Sequence, residues 1–445
     1  MNDPVYFVAI YFLIALIIGI HSYFKIRNTS DYYIAGKRAG FFPVSGSLIA
    51  TILGGSAILG TIELSQRIGW AALWFLFCAS LGMFILAPLA KYVSRYGRYT
   101  LPGLLGHFYG NKAQFIASII IPVAWLGIIA AQIIAAGKIL TGLEFLNYHW
   151  SAIFCGVIFI VYTLVGGQVS ILKTDIIQSV LIIAGLGALA ISALKAGGTE
   201  SMSELNTGAL FNESFTGFDL LVLILTYSVT FVVGPDIYTR IFCAKNEKTA
   251  GISILIVALL LIPASFVITY LGIISGLSGE KEILSFADSY LPAWLYGLLL
   301  AALLSAVMSS ADTTLFTSSL ILSELLYSKL DESKSLIITR ITIIVLGGLS
   351  IVVALFITSI LQSLLLALTF FSGAFVLPML AGLLNVPVIK RQLIIAISAG
   401  GLVALSGKLI NLFACHMTGN LIIVLSFVIN GIILFVPFTP KGDKK

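Results

Sequence analysis

The chain has 445 residues, 59% of them hydrophobic and 10% charged, with a mean hydropathy of +1.09 and a formal net charge of +6. A soluble globular domain carries about 25% charged residues, so the composition excludes a soluble enzyme or binding module and points to a polytopic α-helical membrane protein. The apolar segments are too long, and alternate too little, for a β-barrel.

In chain order the apolar runs predict thirteen membrane spans: 6–24, 41–63, 70–94, 114–140, 151–166, 171–195, 218–242, 250–276, 292–324, 337–358, 361–384, 391–410 and 419–438. Each approaches the ~20 residues a helix needs to cross the hydrocarbon core. No basic stretch precedes the first span and no cleavage site of small residues stands out, so the first span is expected to stay in the protein. No linker or low-complexity stretch divides the chain, so residues 1–445 read as one domain. The longest polar stretch, 196–217, reads as an extracellular loop.

Two spans, five helices apart, are interrupted. The span 41–63 carries Thr51-Ile52-Leu53-Gly54-Gly55-Ser56, and the span 218–242 carries Tyr227-Ser228-Val229-Thr230 followed by Gly234-Pro235. Adjacent glycines in a helix interior cost about 1 kcal/mol each relative to alanine. Unwound carbonyls that ligate a cation would justify that cost, as would close packing through small residues. Secondary transporters built from two inverted halves break the first helix of each half at the binding site.

The ninth span holds the densest polar stretch, Leu303-Leu304-Ser305-Ala306-Val307-Met308-Ser309-Ser310-Ala311-Asp312-Thr313-Thr314. A carboxylate at mid-membrane costs at least ~2.5–3.5 kcal/mol and marks an ion or substrate path. Helical spacing sorts these residues into two stripes: Ala306, Ser309, Ser310 and Thr313, and beside it Ser305, Ser309 and Asp312.

Lys and Arg set the orientation. Lys25, Arg27, Lys37, Arg38, Lys91, Arg95, Arg98, Arg240, Lys245, Lys248, Lys390 and Arg391 fall on one side, with the basic C-terminal tail. Arg67, Lys138, Lys195, Lys281 and Lys408 fall on the other. The asymmetry predicts an inner (plasma) membrane protein with its N-terminus outside and its C-terminus in the cytoplasm. The net charge is thus a topology signal, and no nucleic-acid partner is expected. Cys78, Cys155, Cys243 and Cys415 are scattered without metal spacing and read as packing residues. His21, His107, His149 and His416 lie near span ends or in loops, where catalysis and metal binding are not expected.

Four stretches in order resemble the sodium:solute symporter family. They are Asp31-Tyr32-Tyr33-Ile34-Ala35-Gly36-Lys37, then Tyr162-Thr163-Leu164-Val165-Gly166-Gly167 with Thr174-Asp175-Ile176-Ile177-Gln178, then Gly234-Pro235 through Arg240 with Ala244-Lys245-Asn246-Glu247-Lys248, and last the polar stretch of the ninth span, continued by Ser318-Ser319 and Glu324-Leu325-Leu326-Tyr327. The resemblance runs from about residue 30 to 385. It implies an all-α, inverted-repeat (5+5) LeuT-like transporter core, here about 41–195 and 218–384, preceded by one helix (6–24) and followed by two (391–438). It implies Na+ as coupling ion, with ligands from the carbonyls of Ala50, Leu53 and Ala306 and the hydroxyls of Ser309 and Ser310. For members with a second cation site it implies Asp175 with Asp312 and Thr313. An aspartate at 312, where such members tend to carry a hydroxyl, departs from the pattern. Asp312 could serve a second cation, carry a proton or anchor structure.

The expected function is sodium-coupled import of a small organic solute by alternating access, by a protein working as a monomer in the bilayer. Alternatives are a proton-coupled carrier of the same fold and a transport-inactive solute sensor. No nucleophile–base pair or metal cluster supports an enzyme. Gly54, Gly55, Ser56, Gln132 and Tyr227 are candidate substrate contacts, while Trp125, Phe370 and Phe371 read as packing. No arginine is expected at mid-membrane to clamp a carboxylate, so a strongly anionic solute is disfavoured; zwitterions, choline- or betaine-like solutes and sugars stay open.

Overall fold

The computed structural model describes residues 3–23, 29–96, 100–143, 146–195, 207–277, 283–327 and 332–437. Lys25, Arg27, Arg98, Lys281, residues 196–206 of the predicted outer loop and the basic tail lie outside these residues. Eighteen α-helices run through the described parts. Strand pairing among them is confined to two isolated bridges, Ala39 with Ala244 and Asn212 with Phe215.

The chain begins with α1 (Asp3–Tyr23) and the short α2 (Thr29–Ile34), followed by α3 (Phe41–Ile52) and α4 (Gly55–Ile68). Leu53 leaves the helix at φ −80°, ψ 42°, and Gly54 is extended at φ −68°, ψ 167°, so the predicted second span is broken at its glycines. Then come α5 (Leu73–Tyr96), α6 (Leu101–Tyr109), α7 (Asn111–Thr141) and α8 (Tyr148–Lys195). At 1.5 Å per residue the 48 residues of α8 would run about 72 Å if straight, more than twice the ~30 Å hydrocarbon core. Gly167, at φ 57° and ψ −175°, breaks it where the fifth and sixth predicted spans meet.

The seventh predicted span is interrupted twice. It opens as α9 (Gly217–Leu223), capped by a reciprocal Thr216–Asp219 box, and widens into a π turn over Ile224–Ser228. It resumes as α10 (Val229–Val233), breaks at Gly234, and restarts as α11 (Pro235–Cys243) with proline at its first position. Proline fits there because the first helical N–H has no intrahelical partner to lose. The chain continues through α12 (Glu247–Leu277), α13 (Ile283–Tyr290), α14 (Ala293–Tyr327), α15 (Glu332–Phe356), α16 (Ile360–Leu383), α17 (Leu393–Phe413) and α18 (His416–Phe435).

Ten helical runs among the described residues are long and apolar enough to cross a membrane, so the chain is an all-α, largely membrane-embedded protein. Burial separates core from periphery. The apolar window of α14 is 78% buried and that of α15 only 33%. α14 packs against α1, α3, α7, α8 and α15, whereas α17 and α18 pair with each other and lean on α16. The polar stretch therefore sits on the most enclosed helix, where every hydroxyl needs a protein partner or a ligand.

Two of the sequence motifs meet in space. A Cβ on Gly167 would stand 2.6 Å from the Tyr32 ring, and Tyr32 also packs edge-on against Phe316 of α14 at 5.4 Å. Its neighbour Tyr33 bonds the Ser335 and Thr339 hydroxyls of α15. The Asp31-Tyr32-Tyr33 segment thus ties together α8, α14 and α15.

Candidate ion and substrate site

The helix break at 53–54 leaves the last carbonyls of α3 without intrahelical partners. One of them, Thr51 O, accepts a 2.7 Å hydrogen bond from Ser310 Oγ of α14. The approach needs glycine: a Cβ on Gly54 would lie 2.0 Å from Ser310 Oγ, and one on Gly55 2.0 Å from Val307 Cγ2. The two glycines therefore seat the break on α14, and the cavity wall is made by their neighbours. Ala50, Leu53, Ala306, Ser309 and Ser310 are all buried, and Ser309 Oγ has no hydrogen-bond partner. Carbonyls with a free hydroxyl are hard, neutral oxygens and suit a weakly held monovalent cation.

The second predicted site differs from expectation. Arg240, counted from sequence as a cytoplasmic loop residue, is fully buried within α11, so an arginine does lie among the membrane helices. Its Nη2 stands 3.5 Å from Asp175 Oδ2, with both side chains 0% exposed. Nη2 also donates to the Thr313 hydroxyl and, at 3.3 Å, to Thr51 Oγ1. Nε donates to Ser47 Oγ at 2.9 Å, and Ser47 in turn donates to Asp175. One guanidinium thus joins α3, α8, α11 and α14. Asp175 is fully buried, and Asp175 and Thr313 of the predicted set face Arg240. Asp312 is also fully buried, but neither of its carboxylate oxygens makes a hydrogen bond.

The two stripes on α14 therefore have separate surroundings. Ser310 and Thr313 reach across to the broken helices. Ser305, Ser309 and Asp312 are buried with oxygens that have no hydrogen-bond partner. Thr314 bonds back to the Ser310 carbonyl at 2.6 Å, the ordinary local use of a hydroxyl in a membrane helix.

Beside the α3–α4 break lies a cavity of about 70 Å³. Of the candidate substrate contacts, Ser56, Gln132 and Tyr227 line it. Gln132 Oε1 accepts from Ser56 N at 3.1 Å, and its Nε2 donates to Ser56 Oγ at 2.6 Å. Tyr227 stacks on Phe75 at 4.2 Å. Trp125 lines the cavity as well, held edge-on by Phe371 at 4.7 Å. Phe370 packs instead against Gly401 of α17. Asp236 and Phe231 complete one wall and had not been singled out from sequence. A polar pair four residues apart, Asp236 and Arg240, just after a Gly-Pro break was the available signal. On α4 and α7, Glu63 and Lys138 pair at 2.5 Å and border a larger cavity of about 610 Å³.

Among the described residues no three His, Cys, Asp or Glu side chains cluster to hold a metal ion.

The sodium:solute symporter family model matches residues 32–386. The chain is 26% identical over 384 residues to the sodium/proline symporter of Staphylococcus aureus, covering 78% of this chain and 74% of the relative. The fold is similar to that of a Na+-coupled sialic acid symporter in its outward-open, substrate-bound state, at a TM-score of 0.78 and 16% identity over 97% of this chain and 98% of that one. It is also similar to MhsT in complex with L-phenylalanine, at a TM-score of 0.60 and 13% identity over 89% and 98% of the two chains. The all-α fold with a 5+5 LeuT-like core matches these transporters. A chain with this match, this fold and hydroxyls gathered at a broken helix belongs to the sodium:solute symporter family: it is a secondary transporter of a small organic solute and not an enzyme.

Proposed function

We propose that the protein carries one sodium ion inward with each solute molecule. The ion is held by the carbonyls of Ala50, Leu53 and Ala306 and the hydroxyls of Ser309 and Ser310, and the solute by the cavity bordered by Ser56, Gln132 and Tyr227. The observation that carries this reading is the Ser310–Thr51 hydrogen bond. A hydroxyl can ligate a cation only with its lone pairs, so its proton must point elsewhere; the Thr51 carbonyl receives it. Sodium bridging α3 and α14 would stabilise the unwound segment against which the solute binds, which couples the two by population shift.

Arg240 gives Asp175 and Thr313 a fixed positive partner, which favours one coupled ion over two. Asp312 has no such partner, and serving a second cation, carrying a proton and anchoring α14 remain its three readings. One charge falling through ~100 mV yields ~2.3 kcal/mol. At ~1.4 kcal/mol per tenfold, that sustains roughly fifty-fold accumulation of a neutral solute.

The proposed topology has thirteen crossings, with the N-terminus outside, the C-terminus in the cytoplasm and the inner membrane as location. The turn at Gly167 and the helix pair inside Gly55–Arg95 support dividing those long runs in two. Residues 1–445 act as one transport domain, working as a monomer.

Uptake into proteoliposomes tests the coupling. Ser309→Ala with Ser310→Ala removes both hydroxyl ligands and should raise the sodium needed for half-maximal uptake by about tenfold or more. Unchanged sodium dependence sinks the site. Uptake driven by a pH gradient without sodium would instead favour proton coupling through Asp312.

A further inference from the structure

The central cavity holds one feature that sodium coupling does not use, the carboxylate of Asp236. Building on the reading that this cavity is the substrate site, we propose that its solute is a small organic monocation, a protonated or quaternary amine that also carries a hydrogen-bond acceptor. Asp236 is its counter-ion.

Three observations converge on this class. First, among the described residues lining the cavity Asp236 is the only charged one, and none of the ion pairs of the described residues includes it. Arg240 lies one turn further along α11, but its guanidinium is directed to Asp175, Ser47 and Thr313, and towards residue 236 it reaches only the backbone carbonyl, at 3.3 Å. Asp236 is therefore the charged group of the cavity wall, and a cationic solute would be its partner inside the cavity. As the second residue of α11, Asp236 is in a helical first turn, where a carboxylate is favoured.

Second, the place where such folds receive a substrate carboxylate is taken. The start of α4 could offer free N–H groups to an anion. Here Ser56 N already donates to Gln132 Oε1. A carboxylate seated on Ser56 N would have to displace that bond, and no cation on the cavity wall would compensate.

Third, the remaining walls suit a cation. Trp125, Tyr227 and Phe231 line the cavity, and aromatic side chains of this kind attract ammonium groups. The Trp125 indole Nε1 is 1% exposed by residue and has no acceptor, so it is a donor ready for a hydroxyl, ether or carbonyl oxygen on the solute. The volume of about 70 Å³, room for about five waters by the same measure, limits the solute to a few heavy atoms.

Thermal unfolding of the full-length protein in sodium buffer provides the test, with choline, ethanolamine, L-proline and glucose as probes. Choline or ethanolamine should raise the unfolding temperature, and proline and glucose should not. Asp236→Asn should weaken the cation's binding by about tenfold or more, whereas Asp236→Glu should retain most of it. Ala57→Trp, which fills the cavity, should abolish binding; Leu364→Trp from the opposite wall does the same should the first variant misfold. Stabilisation by proline or glucose that Ala57→Trp removes would overturn the cation assignment while leaving the cavity as the substrate site. Stabilisation by any probe that survives both filling variants would overturn the cavity itself. Unchanged cation affinity in Asp236→Asn, or stabilisation by none of the four probes, also overturns the proposal.

Discussion

Arg240 and Asp175 meet 3.5 Å apart, each with a fully buried side chain, and the arginine comes from the half-helix that restarts after Gly234-Pro235. The same guanidinium touches Ser47 and Thr51 of α3 and Thr313 of α14. It therefore joins the two broken helices to the helix that carries the hydroxyls. Removing one partner of a buried pair leaves an uncompensated charge and costs ~3–5 kcal/mol, while replacing both with apolar residues can be nearly neutral.

The first prediction follows from that asymmetry. Arg240→Met alone should strongly reduce the yield of monodisperse protein, and Arg240→Met with Asp175→Leu should recover much of it. Arg240→Lys should not rescue, because one ammonium cannot span the partners that a planar guanidinium reaches. Size-exclusion profiles of the purified variants decide it. Equal yields for the single and double variants would show that the pair is not the reason.

Gly54 offers a sharper probe of the ion site. Its Cβ would fall 2.0 Å from Ser310 Oγ, so Gly54→Ala must push α3 away from α14. Sodium affinity should drop by about tenfold or more, and Ser310→Gly in the same chain should restore the packing but not the missing ligand. Sodium-dependent uptake by Gly54→Ala at wild-type affinity would remove the α3–α14 contact from the mechanism.

Gly167 is held at φ 57°, ψ −175°, with Tyr32 where a side chain would go. That backbone region is essentially reserved for glycine. Gly167→Ala should lower stability by ~1–3 kcal/mol, and Tyr32→Ala in the same chain should relieve only the steric part. Thermal unfolding of the single and double variants separates backbone strain from the clash. A single variant as stable as wild type would mean that α8 can turn elsewhere.

Gln132 caps Ser56 at the start of α4 through both of its amide atoms. Gln132→Ala leaves a buried N–H and a hydroxyl without partners, at ~1–3 kcal/mol. The solute concentration for half-maximal uptake should rise by about tenfold, with a much smaller change in sodium dependence. Equal changes in both would mean that Gln132 supports the ion site instead.

How much of this was legible beforehand can be judged residue by residue. Gly54-Gly55 and Gly234-Pro235 announced the two breaks, because helix geometry makes adjacent glycines and an interior proline expensive unless backbone is meant to unwind. Spacing along the ninth span separated Ser310 and Thr313 from Ser305 and Asp312, and the structure gives those stripes different neighbours. Arg240 went astray for a physical reason. Charge counting assigns a residue near a span end to the loop, but the Gly-Pro break redirects α11 so that this arginine turns into the bundle. Asp236 was passed over because a single acid near a helix start is usually just a favourable first-turn charge.

Taken alone, the sequence determined that the chain lives in a membrane, where its helices break, and which oxygens lie on one face of the ninth span. Those are consequences of transfer free energy and helical period, both local in the chain. Which buried charges meet was decided only in the tertiary structure. Arg240 and Asp175 are 65 positions apart in sequence, and nothing local distinguishes a charge that finds a partner from one, like Asp312, that does not. In a medium without water that pairing determines which polar groups are structural and which stay available to an ion or a solute.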